Sequence, residues 1–114
     1  MEHCIFCKII DRQIPSTIVY EDDKVLAFND IQPVAPVHVI IIPKVHIANV
    51  NELTSENAAV LGDIHLAARK IAEKLGIAEM GYRLINNCGA AAGQTVFHLH
   101  YHLIGGVTLG AKII

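Results

Sequence analysis

Three histidines alternate with apolar residues near the end of the chain, in the segment His98-Leu99-His100-Tyr101-His102-Leu103-Ile104. Successive side chains of a β-strand point to opposite faces, so His98, His100 and His102 are predicted to share one face while the residues between them face the core. At a rise of roughly 3.3 Å per residue, neighbouring imidazoles would lie about 6–7 Å apart. Core packing does not require such a row, and the pattern therefore indicates a functional site.

Two kinds of chemistry fit this row of imidazoles. Alternating histidines on a strand can hold a catalytic zinc ion that keeps one coordination position open for water. Alternatively, one neutral imidazole can attack phosphorus as a nucleophile and be displaced in a second step. The preceding loop, residues 87–94, favours the nucleophile because its glycines and alanines let backbone N–H groups approach an anion. No Lys-Ser/Thr pair follows this loop, so it is not a Walker loop.

The elements that must position the histidines predict an α+β fold. A short helix is predicted over residues 4–10, a hairpin over 17–20 and 25–28, a central buried strand over 38–42, and further strands over 82–86 and 96–104. Thr54 is predicted to cap one long helix, which carries Glu56 in its first turn and ends at Gly76. We therefore expect a five-stranded antiparallel sheet with one short N-terminal helix and one long helix, both on one side.

The composition predicts a single domain over residues 1–114. A net charge of -2 and a hydrophobic content of 53% exclude disorder and disfavour nucleic acid as a partner. No apolar run approaches the about 20 residues that span a bilayer, so no membrane partner is expected. The start, Met1-Glu2-His3-Cys4, shows no secretion signal, which predicts a cytoplasmic location. The mean hydropathy of +0.43 is high for a small monomer and predicts a homodimer.

The histidine segment resembles the signature of the histidine triad (HIT) family of nucleotide hydrolases and transferases, and the similarity covers nearly the whole chain. Other segments similar to the Hint branch of this family are Cys4-Ile5-Phe6-Cys7-Lys8-Ile9-Ile10, Phe28-Asn29-Asp30-Ile31, His38 followed by Ile42-Pro43-Lys44, and Gly93-Gln94-Thr95-Val96-Phe97-His98. Gly105-Gly106 also resembles the Hint branch, whose members hydrolyse purine nucleoside 5′-phosphoramidates. The end of the chain, residues 109–114, lacks the aromatic tail that in some members reaches the partner's site. The resemblance therefore does not determine which leaving group is preferred.

The resemblance implies a role for individual residues and a purine nucleotide substrate with an AMP or GMP moiety. His100 matches the nucleophile that forms a covalent nucleotidyl-histidine, from which water then releases the nucleotide. His102 and His38 match residues that flank the phosphate, and His98 matches the histidine that organises the site. The remaining matches are Thr95 at the leaving group, Gln94 and Asn87 near the phosphate, Asp30 at the ribose hydroxyls, and Ile5, Phe6, Ile9, Phe28, Ile31 and Ile40 around the base.

Cys4 and Cys7 form a pair at metal-ligand spacing, although two small buried residues on a short helix would give the same pattern. The resemblance extends to bacterial members that hold a structural zinc, and it implies Cys4, Cys7, His46 and His98 as ligands. Such an ion would tie the N-terminal helix to the catalytic segment without performing the hydrolysis. His3 is a competing ligand, and no organic cofactor is expected.

Three other functions are compatible with the sequence. The first is hydrolysis of dinucleoside polyphosphates, which relative rates on the two substrate classes would distinguish. The second is a non-catalytic nucleotide- or zinc-binding interaction protein, which would form no nucleotidyl adduct. The third is a catalytic-zinc enzyme, which a chelator would inactivate without unfolding it.

Overall fold

A computed structural model describes residues 3–114, with five strands and two α-helices in that range. In chain order the elements are α1 (Ile5–Ile10), β1 (Ile18–Glu21), β2 (Val25–Asn29), β3 (Val37–Pro43), α2 (Ala59–Lys74), β4 (Tyr82–Asn86) and β5 (Tyr101–Gly105). The strands form one sheet in the order β1-β2-β3-β5-β4, and all neighbours are antiparallel. The predicted fold class is confirmed. Met1 and Glu2, to which the prediction about secretion refers in part, lie outside the described residues.

β3 is the central strand, as its continuous run of branched apolar residues predicted. All of its residues after Val37 are buried, because both faces of the sheet are covered. It pairs with β2 on one side and with β5 on the other. His38 lies on this strand, so a rigid element fixes its position relative to the histidines of the β5 region.

The two helices lie on opposite faces of the sheet, and the prediction that they cover one side is wrong. α2 packs through Ile64 and Ile71 against a cluster that contains Val39 and Ile41. α1 packs on the other face, in a cluster of Phe6, Ile9, Leu26, Phe28, Ile40 and Ile42. Neighbouring residues of β3 point to opposite faces, so this strand contributes to both clusters. The face that carries His38 is therefore the face covered by α1.

β5 begins at Tyr101, five residues later than predicted for this strand. The ladder between β3 and β5 ends at the pair Ile41↔Tyr101. Pro43 has no N–H to donate to a further pair, which explains why the ladder stops there. The segment 98–100 is still extended enough to keep the alternation of faces. Leu99 and Leu103 are buried in the α2-side core, while His98 and His100 contact Phe6 of α1.

α2 begins at Ala59, so the predicted cap at Thr54 is also displaced. The Thr54 hydroxyl accepts a hydrogen bond from the Glu56 N–H, and the Asn57 side chain accepts one from the Thr54 N–H. These bonds cap a turn over residues 54–58, whose backbone hydrogen bonds lead directly into the helix. The predicted C-terminal end is confirmed, because the helix ends at Lys74 and Gly76 has a φ of 73°. No helix within residues 3–114 is long and apolar enough to cross a membrane.

Candidate active site

One side-chain and one backbone hydrogen bond hold residues 98 and 99 where the β-ladder is absent. The His98 ring donates from Nε2 to the Pro43 carbonyl at 2.8 Å. The Leu99 N–H donates to the Ile47 carbonyl at 2.6 Å. His98 therefore takes the place of a backbone donor at the end of β3, and it is fully buried.

The His100 ring is oriented by a hydrogen bond from its Nδ1 to the His98 carbonyl at 2.8 Å. A carbonyl can only accept, so Nδ1 carries the proton and Nε2 of the neutral ring presents a lone pair. The ring packs edge-on against Phe6, with a centroid distance of 5.1 Å, and it is 7% exposed. Burial lowers the pKa of His100 below its ordinary value. These features leave one nitrogen free for nucleophilic attack.

His38 and His102 form a hydrogen-bonded pair whose proton positions follow from the backbone. The Val34 N–H donates to His38 Nδ1 at 3.1 Å, so the proton of the neutral His38 ring is on Nε2. That nitrogen lies 2.9 Å from His102 Nδ1 and 3.3 Å from an Asp30 carboxylate oxygen. His102 Nδ1 then accepts, which places the proton of the neutral His102 ring on Nε2. The centroids of the His102 and His100 rings are 5.2 Å apart, somewhat closer than the spacing predicted.

The remaining imidazoles of the triad are also in surroundings that disfavour their charged forms. Burial, and secondarily the nearby His100 and His38, lower the pKa of His102 below its ordinary value. Burial lowers the pKa of His98 to about 4. When the rings are neutral, each hydrogen bond described above has a donor on one side and an acceptor on the other.

Cys4, Cys7, His46 and His98 come together in one cluster, and their ligand atoms all lie within 4.8 Å of one another. His98 Nδ1 is 3.4 Å from Cys4 Sγ, 3.5 Å from Cys7 Sγ and 3.2 Å from His46 Nδ1. Because His98 Nε2 donates to a carbonyl, Nδ1 has the lone pair that a metal requires. Two thiols and two imidazoles are a usual ligand set for structural zinc. The residues therefore fit the ion that the sequence resemblance implies.

A second group, Asp30, His38 and His102, also brings its ligand atoms within 4.8 Å of one another. A metal bound at His38 Nε2 would require the proton on Nδ1, where the Val34 N–H already donates. The two hydrogens would then face each other at 3.1 Å between nitrogens. His38 is thus arranged as a hydrogen-bond donor to His102 and Asp30, which disfavours the catalytic-zinc alternative.

The residues expected around the base are only partly brought together. Phe6, Ile9, Phe28 and Ile40 lie in one buried cluster on the α1 face. Ile5 is 46% exposed on the first turn of α1, and Ile31 is 95% exposed in the loop after β2. Asp30 is the first residue of that loop, and its second carboxylate oxygen accepts a hydrogen bond from the Gln32 N–H at 2.8 Å. The carboxylate is therefore held between the loop and His38.

The loop before the triad contains Thr95 and Gln94 in very different surroundings. Thr95 is exposed and contributes to a groove of about 640 Å³, lined also by His3, Cys4, Ile5, His46, Val96 and Phe97. Gln94 is buried, and its amide donates to the Ala48 and Val96 carbonyls and accepts from the Gly89 N–H. Both N–H groups of the Gln94 side chain are thereby used, and one of them links the loop to Ala48 in the segment after β3. Asn87 is half-buried directly after β4.

Replacing Gln94 with leucine is expected to lower the free energy of unfolding by about 2–3 kcal/mol, since three backbone partners lose their hydrogen bonds. The comparison is Gln13→Leu, at an exposed position near the end of α1, which should change stability by less than about 0.5 kcal/mol. Urea unfolding of both variants measures the difference. Equal midpoints for the two variants would show that Gln94 does not brace the loop.

Two features of the site have no counterpart in the sequence motifs. The Val34 N–H fixes the tautomer of His38, and the Asn86 side chain donates to the His100 carbonyl at 3.0 Å. Neither residue belongs to a recognisable spacing pattern. The pairing of β4 with β5 offers the only signal for Asn86, because it places that residue opposite Tyr101.

Comparison with known proteins agrees with this geometry. The family model for the HIT domain matches residues 11–109. The chain belongs to the HIT-domain family. The match does not include Cys4 and Cys7, so two of the four clustered ligands lie outside the part that defines the family.

Two relatives and one solved structure illustrate how similar this HIT-domain chain is to others. A purine nucleoside phosphoramidase from Escherichia coli is 54% identical over 112 residues, which cover 98% of this chain and 94% of that protein. An uncharacterised HIT-like protein from Synechococcus elongatus is 55% identical over 108 residues, or 95% of this chain and 94% of that protein. A HIT family hydrolase from Clostridium thermocellum superposes with a TM-score of 0.98 at 68% identity, over 100% of this chain and 99% of that one. The family and fold predictions are confirmed, as is the prediction that the chain is a HIT-family enzyme.

Proposed function

We propose that the protein hydrolyses purine nucleoside 5′-phosphoramidates through a covalent nucleotidyl intermediate on His100. The observation that carries this proposal is the hydrogen bond from His100 Nδ1 to the His98 carbonyl, which leaves Nε2 as the free nucleophilic atom. The similarity to the Escherichia coli phosphoramidase supports the substrate class. The rigid attachment of His98 to Pro43 supports the positioning, because the accepting carbonyl belongs to the same residue.

In the first step, His100 Nε2 attacks phosphorus and the P–N bond breaks. The departing nitrogen takes up one proton from solvent, because a neutral His102 that gave up its Nε2 hydrogen would become an imidazolate anion. In our proposal His102 keeps that hydrogen and donates a hydrogen bond from Nε2 to a phosphoryl oxygen. His38 holds His102 in that tautomer through the 2.9 Å contact between the two rings. This arrangement orients a hydrogen-bond donor beside the nucleophile, where negative charge develops on the phosphoryl oxygens.

In the second step, water attacks phosphorus and the bond to His100 Nε2 breaks. The attacking water releases one proton to solvent, and the His100 ring regains its starting state. The products are the nucleoside monophosphate and the free amine. A histidine serves both steps because imidazole is a good nucleophile and also a good leaving group near neutral pH.

The nucleotide would lie along the α1 face of the sheet. We propose that Asp30 binds the ribose hydroxyls, that Asn87 and Thr95 approach the phosphate and the leaving group, and that the base lies against the apolar residues near Phe6 and Phe28. Gln94 is better placed to brace the loop than to touch phosphate, since its N–H groups are used internally. Ile31, with 95% of its surface exposed, would cover the base from the loop side.

We also propose a structural zinc ion bound by Cys4, Cys7, His46 and His98. We propose no organic cofactor. When bound, such an ion cross-links the segments that carry its ligands and contributes to stability. Cys4 is the N-cap of α1, and its sulfur already accepts a hydrogen bond from the Cys7 N–H. The four residues would thus fix α1 to the segment that carries the nucleophile.

We propose that the protein assembles as a homodimer. The proposal is based on one edge of the sheet and on the apolar residues beside it. β4 is an edge strand, and half-buried Tyr82, Leu84 and Tyr101 lie on the α2 face. Leu66 is exposed on α2 itself. Edge strands and apolar patches of this kind are commonly covered by a second copy. The single domain and the cytoplasmic location remain predictions from the sequence.

Leu66→Glu is expected to shift the native mass from dimer to monomer, since it places a charge at an exposed apolar position of α2. Ile18→Glu provides the control, because Ile18 is 39% exposed on β1 at the other edge of the sheet. Native mass spectrometry at micromolar protein gives the subunit number directly. A wild-type monomer would contradict the proposed assembly.

The reaction is tested by comparing initial rates on adenosine 5′-phosphoramidate and on diadenosine tetraphosphate. A phosphoramidase should show a higher kcat/KM on the first substrate by at least about tenfold, which corresponds to roughly 1.4 kcal/mol. A preference for the second substrate would establish the dinucleoside polyphosphate alternative. Absence of turnover on both, with nucleotide binding retained, would favour the interaction protein.

A further inference from the structure

We propose that Asn86 is a positioning residue for His100, acting from the opposite face of the sheet. The Asn86 side chain donates from Nδ2 to the His100 carbonyl at 3.0 Å. This inference rests on the proposed function, because His100 is the nucleophile there. The sequence resemblance indicated a role for the adjacent Asn87 and none for Asn86.

Asn86 cannot contact the substrate on the face that carries the imidazoles. In the pairing of β4 with β5, Ile85 is opposite His102 and Asn86 is opposite Tyr101. Directly opposed residues of paired strands share a face, and successive residues alternate. Asn86 therefore lies on the α2 face with Tyr101, and any effect on the reaction passes through the backbone of His100.

The hydrogen bond from Asn86 holds the backbone at the point where the strand pairing of β5 begins. His100 precedes the first ladder residue of β5, so it has no partner residue of its own in either strand pairing. The Asn86 amide supplies a donor from β4 at that point. The carbonyl of His100 is then held by Asn86 while its ring is held by the His98 carbonyl. Rotation of the backbone at residue 100 would move Nε2 relative to phosphorus, and displacements near 1 Å are costly in catalysis.

Asn86→Leu and Asn86→Asp both remove the donor while nearly keeping the size of the side chain. Each is expected to lower kcat for adenosine 5′-phosphoramidate by about tenfold or more, with KM and AMP affinity changed less than about twofold. The matched control is Asn51→Leu, at an exposed position of a short 3₁₀ helix, which should leave all three values unchanged. Thermal unfolding of each variant fixes an assay temperature at which all are folded.

Wild-type kcat in Asn86→Leu would overturn the positioning role, as would a rise in KM with kcat unchanged. A wild-type protein that does not turn over the substrate refutes the proposed reaction instead. In that event the ¹⁵N signals of the His100 imidazole in the free protein test Asn86 independently. The positioning role predicts that Asn86→Leu changes the His100 signals and leaves those of His38 in place, whereas unchanged His100 signals would refute it.

Discussion

Replacing His100 with alanine is expected to lower kcat for adenosine 5′-phosphoramidate by at least about 1,000-fold, as removal of a covalent nucleophile commonly does. The free Nε2 of this ring is the atom that would form the bond to phosphorus, and the other rings of the site are hydrogen-bonded in ways that suit donors. AMP should still bind with an affinity within about threefold of wild type, because the base and ribose contacts do not involve His100. Steady-state kinetics and isothermal titration with AMP measure the two quantities.

Two companion variants separate the loss of the nucleophile from a change in packing. His100→Asn keeps a polar side chain of intermediate size, and it should be as inactive as His100→Ala. His65→Ala removes a histidine that is exposed on α2 and packs edge-on against Tyr101, so its turnover should match wild type. Turnover by either His100 variant at the wild-type rate would remove His100 from the role of nucleophile.

Replacing Cys7 with serine is expected to abolish zinc binding and to lower Tm by about 10 °C or more. A structural ion at this cluster connects α1, the segment after β3 and the segment before β5, so its loss releases three parts of the chain. A tightly bound metal stabilises the folded state in proportion to the logarithm of its concentration over its dissociation constant. Metal analysis of the purified protein and calorimetry, with and without added zinc, provide the readouts.

Cys88→Ser is the matched control for this prediction, because Cys88 is another half-buried free cysteine and lies outside the cluster. It should bind zinc and unfold as the wild type does. A chelator should lower Tm and activity of the wild type together. Loss of activity at an unchanged Tm would instead indicate a catalytic ion, and equal Tm values for Cys7→Ser and wild type in zinc would contradict the structural role.

The alternation of polar and apolar residues was enough to predict which faces the triad residues occupy. The same is true of β3, whose uninterrupted branched run matches a strand buried on both sides, and of the end of α2 at Gly76. The family resemblance added the choice of His100 among three similar residues, which spacing alone does not make. Local patterns of this kind are readable because period and burial are directly coupled.

Features that depend on contacts between distant segments were not predictable from the sequence. Phe6 and Ile9 do not reveal which face of the sheet α1 covers, and the late start of β5 depends on Pro43 in a different strand. The tautomer of His38 depends on a backbone N–H four residues away. Gln94 and Asn86 make hydrogen bonds to backbone groups of other segments, and bonds between distant segments have no local sequence signature.

The most direct test of the mechanism is the intact mass of protein quenched in acid during turnover of adenosine 5′-phosphoramidate, followed by peptide mapping. The mechanism predicts a fraction of the protein carrying one adenylyl group, located on His100 and absent from His100→Ala. Rapid turnover with no adenylylated protein at any quench time, or with the adenylyl group on another residue, would contradict it.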